Sequence, residues 1–514
     1  MSRSVLHSVI VSVIVIVSLS SCLGNADNPN KELSIDDFSG ISNPRYRFSE
    51  RSVRDALSRL IERDGVSMAV DRHIRKHYAS GGAFIWINRL GVKERADTLL
   101  AALRGAGMYG ISLRFLRVGQ IEADLERMHD LEFAGGDNDV SHVMARLEYN
   151  LTLAYSRYSS IMRFGMVNPD YLYNNFEPIE GDTLKERFRQ LSDLKAERPG
   201  AAFFRHIVGK AMNDSISGLF SAIKPHGELY DKLLAMLRRN GMSHEDSMKI
   251  LCNIERCRWR PKKAGVHGRP DKYVEVNIPS YSLRAVDNGK ETYMRTVCGT
   301  VEHKTPLLAG MITRMDVNPQ WIVPKSIAKG YVGRHDYMHR MGMFVLDKEH
   351  GKLPPEAASY DRVMAGEQYV VQAGGSKNAL GRIIFRFDNG FSVFLHDTSS
   401  PWLFSRPMRA LSHGCVRVEK PYELALFMLD EKDVELEDKL KYSMTVELVN
   451  DNDSLKKNDI DRKRLVRTLY VRPAVPLFIT YYTIYYDNSG RIACYDDVYG
   501  YDAALAEQLK PFVE

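Results

Sequence analysis

A change of period near Pro261 constrains this chain more than any other feature. Before it, apolar residues recur at helical spacing; after it they fall into short runs punctuated by turn residues. Ser49-Glu50-Arg51-Ser52-Val53-Arg54 opens a first amphipathic helix. Ala96, Leu99, Leu100 and Leu103 mark a second pattern within Val92 to Gly105, closed by the breakers Gly105, Gly107 and Gly110. His142 to Arg163, Thr183 to Glu197, Leu229 to Arg239 and Glu245 to Arg258 have the same character.

Pro261 to Gly265 and Gly268-Arg269-Pro270 read as a linker. Strand-like runs then cover Tyr273 to Ile278, Ser282 to Val286, Tyr293 to Val301, Gly381 to Phe387 and Phe391 to His396, and return over 443–450 and 466–500. Asp287-Asn288-Gly289 and Asp388-Asn389-Gly390 supply turn chemistry between them. The expected fold class is α+β. A helical scaffold domain (46–260) precedes a mostly β domain (271–450) with a lid insertion at about 326–373, and a C-terminal β extension (451–514) packs on that domain. A chain of 514 residues is too long for one ordinary core.

The N-terminus reads as an export signal. Arg3 precedes the apolar run Val9 to Leu19, which is too short to span a bilayer comfortably. Leu19-Ser20-Ser21-Cys22 resembles a bacterial lipobox, in which the cysteine is lipidated. This gives a signal peptide over 1–21, a lipid anchor on Cys22 and a polar tether over 22–45. Leu23 follows the cysteine, so the aspartate that often retains lipoproteins in the inner membrane is absent. The expected location is the periplasm, anchored to a membrane, the outer one ahead of the inner.

A net charge of +6 favours an anionic surface such as a cell wall or lipid headgroups, and no nucleic-acid signature accompanies it. Beyond Cys22 the cysteines number five, so at least one thiol is unpaired in the monomer. Cys252 and Cys257 on one helix would stand roughly 8–9 Å apart, too far for a disulfide. Cys298 and Cys494 read as small buried hydrophobes.

The chemistry concentrates in Phe394-Leu395-His396-Asp397-Thr398 and Ser412-His413-Gly414-Cys415-Val416-Arg417-Val418. A thiol attacks only as thiolate, and an imidazole can take and return its proton. Glycine beside the nucleophile permits turn dihedrals and close approach of a substrate, and backbone N–H groups there can hold an oxyanion. An arginine two residues on can hold a carboxylate. Cys415, Gly414, Arg417 and either His396 or His413 supply these parts; spacing alone leaves the base open. His335 and His339 lack a third metal ligand, and a solvated face is the plainer reading.

These motifs resemble the signature of YkuD-type L,D-transpeptidases. The flanking text is similar to the YcbB-like subgroup: Asn378-Ala379-Leu380-Gly381, Arg409 to Glu419, Val276-Asn277-Ile278-Pro279, Asn318 to Pro324 and Asp496-Asp497-Val498-Tyr499-Gly500. The resemblance is strong over about residues 250 to 510. It reaches weakly into the helical half through Ile85-Trp86-Ile87.

The resemblance implies Cys415 as nucleophile and His396 as general base. Asp397 would orient the imidazole, and His413, Gly414 and Ser412 would shape the nucleophile loop and oxyanion site. Arg417, Trp321 and Asn378 are the expected substrate contacts. The implied reaction is 3→3 cross-linking of peptidoglycan stem peptides through a thioester, with no metal or organic cofactor. Water or a wall protein as acceptor would give a carboxypeptidase or an attachment enzyme; an inactive envelope scaffold is the non-enzymatic alternative. One departure stands out. YcbB-like members usually carry a small peptidoglycan-binding module inside the helical scaffold, and here Leu233 to Arg239 runs within a few residues into Asn253 to Trp259.

Overall fold

The structure is a computed structural model that describes residues 49–88, 91–133, 135–179, 187–239, 241–262, 270–429, 433–447 and 460–513. The signal segment, Cys22 and the tether lie outside the described residues. Two compact units emerge: one holds the chain up to Met166 with Arg198–Met242 and the last residues from Leu509, the other Val167–Glu197 with Ser243–Gln508. The division therefore does not fall at Pro261. Residues 167–197 and the helix before Pro261 belong with the β unit.

The first unit is helical: α1 (Glu50–Arg63), α2 (Ala69–Ala79), α3 (Arg95–Arg104), α4 (Val118–Asp130), α5 (Val140–Phe164), α6 (Ala201–Met212), α7 (Ile216–Ile223) and α8 (Glu228–Leu237). Ser49 starts α1 by accepting the Ser52 N–H at 3.1 Å in a capping box. Nearly all of α5 is buried. Its Glu148 accepts the N–H groups of Ile85 at 2.6 Å and Trp86 at 2.9 Å and the Tyr78 hydroxyl at 2.6 Å. A buried carboxylate here satisfies backbone donors that would otherwise be stranded away from water.

The second unit begins after Met166, and Ser192–Asp193 forms a two-residue strand on its sheet. The expected helix over Thr183 to Glu197 is absent from its described part. Asn174 accepts the Leu191 and Ser192 N–H groups at 2.8 and 2.9 Å, and Leu191 O accepts from Leu307, so the backbone is engaged elsewhere. Helix α9 (His244–Arg258) starts at Ser243, whose hydroxyl accepts the Asp246 N–H at 3.0 Å.

The main sheet contains β1 (Lys272–Asn277), β2 (Ser282–Asp287), β3 (Lys290–Gly299) and β4 (Leu307–Val317). After the insertion, whose strands are β5 (Trp321–Ile322), β6 (Met343–Asp347), β7 (Gly351–Leu353) and β8 (Gln368–Gln372), it continues with β9 (Ile383–Phe387), β10 (Leu395–His396), β11 (Ala410–Ser412), β12 (Val416–Val418) and β13 (Thr468–Thr480). The order β9-β10-β12-β3-β2-β1-β13-β4 returns to β9, because β4 and β9 also pair. Closure removes the open edges, and the core inside includes Val274, Val276, Leu283, Ile312, Phe385, Leu395, Val416 and Ile479.

Asp287-Asn288-Gly289 makes the expected hairpin, with Asn288 and Gly289 both at positive φ. Phe391 to Phe394 does not form a strand. The Asn389 side chain binds the backbone of Phe387, Phe391 and Val393 and closes a loop instead. The expected strand at 443–450 is also corrected: a helix capped by Asp433 covers Val434–Thr445, and 448–450 lie outside the described residues. The C-terminal segment is no appended layer, since β13 lies inside the closed sheet between β1 and β4. The insertion folds as its own four-stranded sheet, order β5-β8-β6-β7, around Val323, Met338, Val345, Val363 and Val370. Cys252 and Cys298 are buried and unpaired, whereas Cys494 is exposed, contrary to its expected burial.

Candidate active site

Parallel pairing of β10 with β12 brings the two motifs together. Leu395 is the register partner of Val416, and His396 that of Arg417. Leu395, Val416 and Val418 enter the core, so strand alternation turns His396, Arg417 and the preceding Cys415 to the other face. The Val416 N–H donates to Phe394 O at 3.0 Å and fixes this register. Cys415 Sγ lies 4.0 Å from Ser392 O, and the Phe394 N–H is a further partner of the sulfur.

His396 is buried, with Nδ1 2.5 Å from Asp397 O. A carbonyl only accepts, so Nδ1 carries the proton and Nε2 keeps its lone pair. Burial, then the Arg417 charge, push the His396 pKa down to about 4, against the opposing pull of the Asp397 and Leu380 carbonyls. Burial pushes the Cys415 thiol up, opposed by the Phe394 N–H and Arg417. Both groups are therefore neutral at pH 7.

The nucleophile loop is tied down from within. Ser412 Oγ donates to Cys415 O at 2.5 Å and accepts the Gly414 N–H at 3.1 Å. The Gly414 amide is thus engaged within the loop. The Cys415 N–H has no partner among the described residues and stays available. Gly414 has φ +110°, a conformation open to glycine. Its carbonyl accepts from Thr305 Oγ1 at 2.8 Å, and that hydroxyl in turn accepts the Gly299 N–H at 2.8 Å. Tyr499 donates to Gly299 O at 2.6 Å and accepts the Thr305 N–H at 3.1 Å.

The other expected residues fall in three places. The Asp397 carboxylate accepts the N–H groups of Arg382 at 2.8 Å and Thr398 at 2.7 Å, so its side chain holds backbone while its carbonyl holds His396. Arg417 has a buried Nε without a hydrogen-bond partner and makes no ion pair among the described residues. His413 is exposed, its ring 4.8 Å from that of His303. Trp321 packs against the core of the insertion. Asn378 is corrected from substrate contact to internal staple. It is fully buried, donates to Pro319 O at 3.0 Å and Ala373 O at 2.8 Å, and accepts the Leu380 N–H at 2.8 Å. Thr305, Tyr499 and His303 were not singled out from sequence; Tyr499 lies in a quoted motif, but nothing in the spacing assigns it a task.

For metals, the donor set Asp347, Glu349 and His350 sits together. Asp347 is already engaged by Gln368 and by the backbone of Glu349 and His350, as a turn carboxylate ordinarily is. His339 is paired with Glu356 at 2.6 Å.

Residues 271–436 match the family model of the YkuD L,D-transpeptidase catalytic domain, and residues 72–237 match that of a scaffold domain. Residues 271–436 are thus similar to the catalytic domain of the L,D-transpeptidase family, and residues 72–237 to a scaffold domain. A Haemophilus influenzae protein named "Putative L,D-transpeptidase" is 26% identical over 329 residues. That match covers 61% of this chain and 61% of the relative, about three fifths of its length. A solved structure, the Ldtfm–avibactam carbamoyl enzyme, matches 32% of this chain and 47% of its own at 15% identity, with a TM-score of 0.19, too low to bear on the fold.

Proposed function

We propose that this chain is a YcbB-like L,D-transpeptidase that forms 3→3 cross-links through a thioester on Cys415; the likeness of residues 271–436 to that catalytic domain supports the reading. One observation carries the assignment of roles. The Nδ1–H···O bond to Asp397 leaves Nε2 of His396 as the basic nitrogen, on the face shared with Cys415 and Arg417.

In the first half-reaction the Cys415 thiol gives its proton to His396 Nε2 as sulfur bonds to the carbonyl carbon of the third stem residue, diaminopimelate. The oxyanion forms near the free Cys415 N–H. Collapse breaks the amide bond, and His396 returns the proton to the departing amine of D-alanine. In the second, the side-chain amine of another stem attacks the thioester, His396 takes its proton, and the thiolate leaves and is reprotonated. Arg417, a half-buried guanidinium without an ion-pair partner among the described residues, receives a substrate carboxylate. Because thiol and imidazole are both neutral at rest, the mode is general-base activation on attack and not a standing ion pair. Lipidation at Cys22 places the enzyme in the periplasm on a membrane, the outer one first, and the insertion gates the cleft.

The test is incubation of residues 23–514 with disaccharide-tetrapeptide, read by mass spectrometry beside Cys415→Ala. Dimers with loss of D-alanine, absent in the variant, are expected. Tripeptide alone would replace cross-linking by hydrolysis, and dimers from Cys415→Ala would remove the thioester.

A further inference from the structure

A cavity of about 260 Å³ borders the nucleophile loop at His413 and Gly414. Its wall includes Arg189, Glu302, His303 and Lys304, all within the second unit. None of these four has a role in the chemistry derived above.

The charges are arranged in an unusual way. Arg189 and Lys304 share one carboxylate, that of Glu177: Arg189 is 3.1 Å from it, and Lys304 bonds to it directly. Two cations against one anion leave one positive charge uncompensated. Lys304 is buried, whereas the Arg189 side chain is 46% exposed, so Arg189 is the cation that a ligand can reach. Glu302 supplies the opposite sign. Its carboxylate is exposed, makes no ion pair among the described residues, and is held ionised by hydrogen bonds from its own amide and the Thr300 side chain.

Arg189 donates to the Glu302 carbonyl oxygen at 2.6 Å, yet the Glu302 carboxylate does not close onto it. One half-exposed cation, sharing its counter-ion with Lys304, and one anion without an ion-pair partner among the described residues thus stand at the same rim. Beside them the His303 and His413 rings lie 4.8 Å apart, and burial, His303 and Arg417 hold His413 toward its neutral form, able to accept a hydrogen bond.

We infer that this cavity is a subsite for an amino-acid zwitterion, a free amine and a free carboxylate on one carbon, with Arg189 on the carboxylate and Glu302 on the ammonium. The side-chain end of diaminopimelate has this chemistry; a lysine end, which lacks the carboxylate, does not. The inference rests on the proposed function for its substrate, and the head is that of the donor stem, because the acceptor's amine must be free to attack the thioester.

The test is a binding cycle that needs no turnover. Cys415→Ala in residues 23–514 is titrated with disaccharide-tetrapeptide containing diaminopimelate, and with the same peptide amidated on the side-chain carboxylate. Both titrations are repeated with Arg189→Gln and with Glu302→Gln added. Amidation and Arg189→Gln should each weaken Kd about tenfold, and together little more than either alone, because both remove one charged contact. Glu302→Gln should add to amidation. Additive losses for Arg189→Gln and amidation, or no loss on amidation, overturn the subsite; amidation needs no variant to fold. If the cycle holds while wild type forms no thioester, the subsite stands and the proposed reaction falls. With wild-type enzyme, amidation of the donor should slow thioester formation; unchanged thioester formation would overturn the donor assignment.

Discussion

Thr305 fastens the nucleophile loop to the end of β3: its hydroxyl donates to Gly414 O at 2.8 Å and accepts the Gly299 N–H at 2.8 Å. The threonine is fully buried, so neither backbone group has water as an alternative. Thr305→Val should leave both unpaired, at a cost of about 1–3 kcal/mol each. We expect a lower Tm and thioester formation slowed about tenfold, with Thr305→Ser restoring both. Full activity in Thr305→Val would show that the loop holds its shape without this clamp.

Gly414 tests the backbone apart from the space around it. A Cβ there would meet its nearest atoms at 3.8 Å, an ordinary contact, so room exists for alanine. The obstacle is φ +110°, which should cost Gly414→Ala about 1–3 kcal/mol. Turnover should fall more steeply than Tm, because relief of the strain moves the adjacent Cys415. A variant with a normal Tm and normal kcat would dispose of the requirement.

The resting state is open to alkylation kinetics. With the thiol raised by burial and His396 near 4, little thiolate exists at neutral pH. Iodoacetamide inactivation should accelerate steadily into the alkaline range. A plateau between about pH 5 and 8, the mark of a thiolate–imidazolium pair, would contradict the neutral assignment.

Arg417 links charge to the acid limb of the pH profile. The neutral imidazole is the active form, so thioester formation should persist to about pH 5, where a histidine of ordinary pKa near 6.5 is largely protonated. Removing the nearby cation stabilises imidazolium and raises the His396 pKa. Arg417→Gln should therefore shift the acid limb upward, losing more of its own plateau rate at pH 5 than at pH 8. An unmoved limb would leave burial as the sole cause.

Asn378 should behave as a staple. Its amide spans Pro319 and Ala373, the two ends of the insertion, so Asn378→Ala should lower stability by about 1–3 kcal/mol and raise hydrogen exchange at the base of β8. A rise in KM for donor with unchanged stability would instead restore it to the substrate.

Much of this was legible in the sequence because the signals are local. Ser49 caps the helix it opens through its own side chain, and Asn288-Gly289 makes its turn through positive φ that asparagine and glycine tolerate. Residues 187–197 and 391–394 depart from expectation for the converse reason. Their backbone groups are claimed by distant or non-strand partners, Asn174 and Leu307 for one and the Asn389 side chain for the other. Residues 443–445, expected to begin a strand, are the last turn of the helix Val434–Thr445, whose Asp433 cap lies ten residues upstream of the expected strand.

By itself the sequence determined the parts: a thiol beside glycine, two candidate histidines, an arginine and two regimes of period. What spacing leaves open is where each histidine stands: β10 lies parallel to β12, a pairing across a gap in sequence, and so His396 is set beside Arg417 on the face of Cys415. Tertiary structure also decided that Gly414 gives its N–H to Ser412 while Cys415 keeps its own free, that Asn378 is internal, and that Thr305 and Tyr499 hold the loop. Those are properties of where backbone groups end up relative to distant side chains, which closure of the sheet fixes and local spacing does not encode.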